Sequence, residues 1–111
     1  MSVTFAQGFS AAGVMADISA VEGKKDLALV VNNGPLDAVA GVFTSNRFCA
    51  APVQWSRKAV ANGHAKAVIL NSGGANACTG EAGYQQSVST AERAPNSSAH
   101  KQRMLLCAPL V

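Results

Sequence analysis

The reading of the fold turns on Ala67-Val-Ile-Leu-Asn71-Ser-Gly-Gly-Ala-Asn76-Ala-Cys78-Thr79-Gly80, an apolar run that ends in a loop of glycines and asparagines. Such a loop is costly in backbone entropy. It is chosen where the chain needs positive φ or close backbone approach, which glycine permits, or left-handed geometry, which asparagine tolerates better than most residues. Beyond it, Glu81 to Glu92 places Tyr84, Val88 and Ala91 at i, i+4 and i+7, the period of a helix with one buried side. Thr79 stands where it would cap that helix, and Glu81 suits its positive end. The unit is strand, shaped loop, helix, and shaped loops on rigid elements often border sites.

Working outward, Asp26 to Val31 reads as a buried strand and Asn32-Asn33-Gly34-Pro35 as a turn. Ala38 to Thr44 reads as a second strand, antiparallel to the first because the connection is short. Ala51 to Ala61 reads as a helix with Pro52 near its start, Asn62-Gly63 as its stop, and Val53, Val60 and Trp55 as its buried side. Ala65 to Leu70 is a third strand. The order β-β-α-β-α predicts an α/β domain, a mixed sheet with flanking helices. From Ala94 onward the usable period disappears, until the apolar Met104 to Val111. A frayed terminus is the plain reading of that tail.

The totals narrow the function classes. A chain of 111 residues with 49% hydrophobic content suffices for one small globular domain. No apolar run approaches the ~20 residues of a membrane span. Met1-Ser2-Val3-Thr4-Phe5 lacks the basic and apolar regions of a leader. Cys49, Cys78 and Cys107 are widely spaced with no Cys-x-x-Cys pair, so no zinc site is expected and a reducing cytoplasm fits best. The net charge of +3 comes wholly from Arg93, Lys101 and Arg103, the charges before them being balanced. No basic stripe interleaved with aromatics is present, and no nucleic-acid partner is expected.

Candidate chemistry is sparse. Strand, glycine loop and helix is the layout of phosphate sites, but no Lys-Ser/Thr follows the loop, and Gly73, Gly74 and Gly80 lack the dinucleotide spacing. Cys78 lies near a helix start, where a dipole lowers thiol pKa, although a small buried cysteine is the commoner case. His64 reads as a solvated turn residue and His100 falls in the tail, neither with ligand spacing. Trp55 reads as core, and Lys24-Lys25 as a solvated loop. No catalytic, cofactor-binding or metal-ligating residue is assigned.

Several stretches are familiar together. Gly8-Phe-Ser-Ala-Ala-Gly-Val14, Asp26 to Pro35, Ala40-Gly-Val-Phe-Thr-Ser-Asn-Arg47 with Ala50-Ala-Pro-Val53, and above all Ala67 to Gly80 resemble, in order, the opening of the ornithine acetyltransferase family of arginine biosynthesis. The likeness covers roughly residues 3–92. It implies a partial copy of that family's α/β fold, the N-terminal part of its α chain. It implies acetyl transfer from N-acetylornithine to glutamate, with acetyl-CoA as a further donor in some members and no bound cofactor. The route runs through an acetylated threonine, a covalent intermediate. That threonine becomes an N-terminus when the precursor cuts itself into α and β chains, assembled as a heterotetramer. A Thr-Gly pair within a Cys-Ser-Thr-Gly motif shapes the oxyanion hole. No catalytic role is carried over to Asn71, Asn76 or Thr79; a turn with side chain–backbone bonds is the expectation for them.

The chain departs from the family where Cys-Ser-Thr-Gly should stand, for it reads Met104-Leu-Leu-Cys-Ala-Pro-Leu-Val111. The genetic code connects the two. Asp-Val-Ala-Val-Cys-Ser-Thr-Gly written GAT GTT GCT GTG TGC TCC ACT GGT becomes, one base later, ATG TTG CTG TGT GCT CCA CTG GT, which is Met-Leu-Leu-Cys-Ala-Pro-Leu-Val. The expectation is residues 1–92 of family character and an aberrant, frame-shifted tail over 93–111. A chain lacking both the cleavage site and the motif is expected to be inactive alone. The alternative is a stand-alone α/β domain that binds a small ligand at the loop.

Overall fold

A computed structural model describes residues 2–74, 76–93 and 104–107. After a short 3-10 turn at Val3–Phe5, the elements are β1 (Phe9–Val14), β2 (Leu27–Asn32), α1 (Ala51–Ala59), β3 (Ala67–Asn71), α2 (Gly80–Arg93) and β4 (Met104–Cys107). The sheet order is β1-β2-β3-β4. The first two pairings are antiparallel and β3–β4 is parallel, so the sheet is mixed, as the element order predicts.

The register explains the core. Ala12, Leu29 and Ile69 lie side by side across the three antiparallel strands. Side chains two apart share a sheet face, so Leu27, Leu29, Ala67 and Ile69 point the same way. Ile69 and Ala91 are buried there, with Leu27, Leu29, Trp55 and Ala67 packed against them. Trp55 is therefore core, as expected.

Three expectations need correction. Residues 38–44 are not a strand: Ala38 makes one isolated bridge to His64, and Val42 is 100% exposed. Both edges of β2 are already occupied, by β1 and β3, so the expected antiparallel pairing of 38–44 with that strand has no place. The segment is tied down instead by Val39 N–H to Gly63 O at 2.9 Å, and by Arg57, whose Nη2 donates to Thr44 O at 3.0 Å. β1 went unassigned because Phe9-Ser-Ala-Ala-Gly-Val14 is small and irregular in polarity; pairing to β2 along its whole length makes it a strand. Finally, the buried stripe of α2 is Gly83, Ser87 and Ala91, with Tyr84 and Val88 half-buried at its side. Within the tail, residues 104–107 form β4 rather than a frayed end; the expectations for 94–103 and 108–111, with His100, Lys101 and Arg103, lie outside the described residues.

The β1–β2 connection is organised by one carboxylate. Asp26 is buried, at 3% exposure. Its Oδ1 accepts the Ala16 N–H at 2.7 Å, and its Oδ2 accepts those of Ile18 and Ser19 at 2.6 and 2.8 Å. The N–H of Ser19, then that of Ala16, hold its pKa below the ordinary carboxylate value, with burial opposing them.

Candidate functional site

β3 ends at Asn71 and the chain turns through the glycine loop into α2. Gly73 sits at φ +97°, and a Cβ there would come within 2.8 Å of Ser19 Cα. The turn thus needs glycine both for its conformation and for its closeness to the β1–β2 connection. Asn71 Nδ2 donates to Gly74 O at 3.2 Å, closing the turn on itself.

Asn76 joins three elements. Its Nδ2 donates to Gly83 O at 2.7 Å and to Ser87 Oγ at 3.1 Å. Its Oδ1 accepts the Thr79 hydroxyl, and its carbonyl accepts the N–H of Ala51 at 3.0 Å. One side chain and its own carbonyl thus hold the loop against the starts of α1 and α2. Two features of α2 follow. The Thr79 hydroxyl is engaged by Asn76, so the link from Thr79 to the first turn is its carbonyl, which accepts the Gly83 N–H at 3.4 Å. Gly83 must lack a Cβ, since one would overlap the Thr79 and Asn76 side chains. The small stripe Gly83–Ser87 is a docking strip for the loop, which hydrophobic periodicity alone does not reveal. The expected side chain–backbone bonding of the asparagines is what the structure contains.

A cavity of about 410 Å³ lies between loop, sheet and α2, lined by Ile18, Leu27, Ile69, Asn71, Asn76, Thr79, Gln86, Ser87 and Thr90 among others. Its size falls in the range of small-molecule pockets. Among the described residues no ionisable side chain lines it, and Asn76, Thr79 and Ser87 are engaged with one another or with backbone. It offers shape and hydrogen bonding, but no group to move a proton at neutral pH.

The ionisable groups lie elsewhere. A second cavity of about 310 Å³ is lined by Arg47, Cys49, Cys78, Glu81 and Tyr84. Cys78 is exposed, at φ +57°, against the expectation of a buried cysteine. Tyr84 is held by Lys58, whose Nζ donates to the phenol oxygen at 2.9 Å and lies 4.7 Å from the ring centre. His64 Nδ1 lies 2.6 Å from Asp37 Oδ1, so this exposed histidine is paired rather than merely solvated. It does not line the cavity that holds the two cysteines. Among the described residues no group of three or more His, Cys, Asp or Glu is placed to hold a metal ion, and no helix is long and apolar enough to cross a membrane.

With that geometry in view, the likeness to other proteins is informative. The sequence pattern of the ArgJ family matches residues 10–109. The arginine biosynthesis bifunctional protein ArgJ of Bifidobacterium longum is 90% identical over 92 residues, which are 83% of this chain and 24% of that protein. ArgJ of Thermobifida fusca is 56% identical over 110 residues, covering 96% of this chain and 28% of its own length. Among solved structures, an ornithine acetyltransferase of Mycobacterium tuberculosis complexed with ornithine superposes with a TM-score of 0.87 at 46% identity, covering 95% of this chain and 57% of that one. ArgJ of Bacillus halodurans gives a TM-score of 0.86 at 31% identity, covering 100% and 58%. The chain thus spans about a quarter of the length of the curated relatives it matches.

Proposed function

Since this chain belongs to the ArgJ family, we propose that it is the N-terminal part of an acetyltransferase of arginine biosynthesis, acting as scaffold rather than as catalyst. The observation that carries this reading is the superposition, over 95% of the chain, on an ornithine acetyltransferase complexed with ornithine. The reaction is transfer of acetyl from N-acetylornithine to glutamate, with acetyl-CoA as a second donor. A threonine hydroxyl attacks the acetyl carbonyl, ornithine leaves as the amine, and the amine of glutamate takes the acetyl group from the threonine ester. The working form is an α/β heterotetramer in the cytoplasm.

Two features support a scaffold role. Among the described residues the loop cavity has no ionisable lining, and Cys-Ser-Thr-Gly, which would shape the oxyanion hole, is absent from the sequence. In the shifted frame its four positions are read as Ala108-Pro-Leu-Val111, directly after Met104–Cys107, which pair parallel to Ala67–Leu70. A single-base shift near Arg93 accounts for this spelling and for the basic tail together. The 92-residue span of the likeness to the Bifidobacterium protein agrees with that break, whereas the family pattern runs on to residue 109. The DNA after codon 92 decides: if no one-base shift restores Cys-Ser-Thr-Gly, the frame-shift reading fails.

An acetyl-transfer assay tests the function. The purified chain alone is expected to release no ornithine from N-acetylornithine. Co-expression with the rest of the Bifidobacterium ArgJ polypeptide is expected to restore turnover. Activity of the chain alone overturns the scaffold role. The cavity's size favours a second reading, a small-ligand-binding domain. Saturable binding of N-acetylornithine, glutamate or phosphate to the isolated chain in a calorimeter would favour that one instead.

A further inference from the structure

We propose that Cys49 and Cys78 form a reversible oxidation site, which closes to a disulfide when the chain meets a peroxide. The two residues are far apart in sequence, yet both line the cavity of about 310 Å³ beside the start of α2. A backbone bond brings their segments together. The N–H of Ala51 donates to the Asn76 carbonyl at 3.0 Å, and each cysteine stands two residues from that bond. A disulfide needs Cα atoms within about 7 Å. Segments already joined at the backbone reach that limit with a small movement of one of them.

The segment that moves is the one before α1. Phe48 is 80% exposed. The N–H of Asn46 donates to Thr44 Oγ1 and that of Phe48 to Asn46 Oδ1, both at 3.1 Å. These bonds stay within the segment, so it can shift as a unit. The 71–80 loop, by contrast, is fixed by Asn76 on Gly83 and Ser87.

The two thiols have different parts. Cys78 is exposed and meets the oxidant first, whereas Cys49 is half-buried, its Sγ donating to Asn46 O at 3.0 Å. The Cys78 sulfur, as thiolate, attacks one oxygen of hydrogen peroxide. An S–O bond forms, the O–O bond breaks, and the other oxygen leaves as water with the proton the thiol gave up. The Cys49 sulfur then attacks the sulfenic sulfur. An S–S bond forms, the S–O bond breaks, and a second water leaves with the Cys49 proton. Two thiols are oxidised and one peroxide is reduced. The product fastens the exposed segment before α1 to the fixed loop before α2. An exposed disulfide of this kind is open to thiol exchange, which makes the step reversible.

The test uses the full 111-residue chain, reduced, freed of reductant, kept dilute and treated with hydrogen peroxide. Trypsin leaves the three cysteines on separate peptides, because Arg57, Lys66 and Arg93 stand between them. Mass mapping without reductant is expected to find peptide 48–57 linked to peptide 67–93. Cys78 lies midway between Cys49 and Cys107 in the sequence, so loop length alone favours neither partner. The native chain should give the Cys49 link over the Cys107 link by at least about tenfold, through the effective concentration the fold imposes. The chain in urea should give the two in similar amounts. Cys107→Ser should leave the yield unchanged, and Cys49→Ser should leave a Cys78 sulfenic acid that dimedone traps. If either variant fails to fold by circular dichroism, the native and urea maps of the unaltered chain decide. Thiols that stay free or oxidise singly in the native chain, a native bridge to Cys107, a link between two copies, or the same preference in urea overturns the proposal.

Discussion

Residues 38–50 and the loop at 71–80 are spelled in opposite ways. The first holds Val39, Val42, Phe43 and Thr44, side chains that favour strands, and the second holds three glycines. Yet the glycine loop is the fixed region. Asn76 alone ties it to Ala51, Gly83 and Ser87, whereas Val42 and Phe48 stand 100% and 80% exposed. Local preference proposes a structure, but a segment is held only by the partners its position supplies. The strand-forming residues in 38–44 follow a strand, β2, whose two edges are taken by β1 and β3. In 71–80, Gly73 sits against Ser19 and Asn76 against Gly83 and Ser87.

Substitutions can break or sharpen this contrast. The largest effect is expected from Gly83→Val. Its side chain would overlap Thr79 and Asn76 and push the loop off α2, costing about 3 kcal/mol or more in urea unfolding. Ile69→Ala, which removes the buried side chain beneath the loop, should cost about 2–5 kcal/mol. Asn76→Ala leaves the Thr79 hydroxyl without its acceptor and removes the amide's bonds to the Gly83 carbonyl and the Ser87 hydroxyl, for roughly 1–3 kcal/mol. A loss below a few tenths there would show that the loop is not held as described.

Asp26 gives a pH test at the edge of the same region. Its folded pKa lies below the ordinary carboxylate value, so the stability it contributes is complete above ~3.9 and is lost as pH falls through the folded value. Asp26→Asn should flatten the acid limb of a plot of unfolding midpoint against pH; an unchanged limb would contradict the role of those three N–H bonds. The smallest effect belongs to the other region. Val42→Ser should shift stability by no more than about 0.5 kcal/mol, as at any surface site without partners. A larger loss would mean that 38–44 is held more firmly than its exposure implies.

Much of this was legible in the chain of residues itself. Leu27–Asn32 and Ala67–Asn71 are strands within a residue or two of their apolar runs, and both helices lie where their periods and stop signals put them. Family membership was legible too, because Ala67 to Gly80 is a long and unusual spelling. The candidate site was legible only as a loop under constraint. That Asn76 is its centre depends on Gly83 and Ser87, which come into reach only after the helix has formed. The hub at Asp26 was hidden in the same way, since its partners at Ala16, Ile18 and Ser19 lie across an irregular connection.

Sequence alone therefore determined where apolar runs begin and end, which residues bend the backbone, and which family the chain resembles. These are properties of neighbours along the chain. Tertiary structure decided which strands share an edge, why Phe9–Val14 is one and 38–44 is not, and which stripe of α2 is buried. Each of these is a competition for a limited number of backbone edges and contact surfaces, and its outcome depends on groups far apart in sequence.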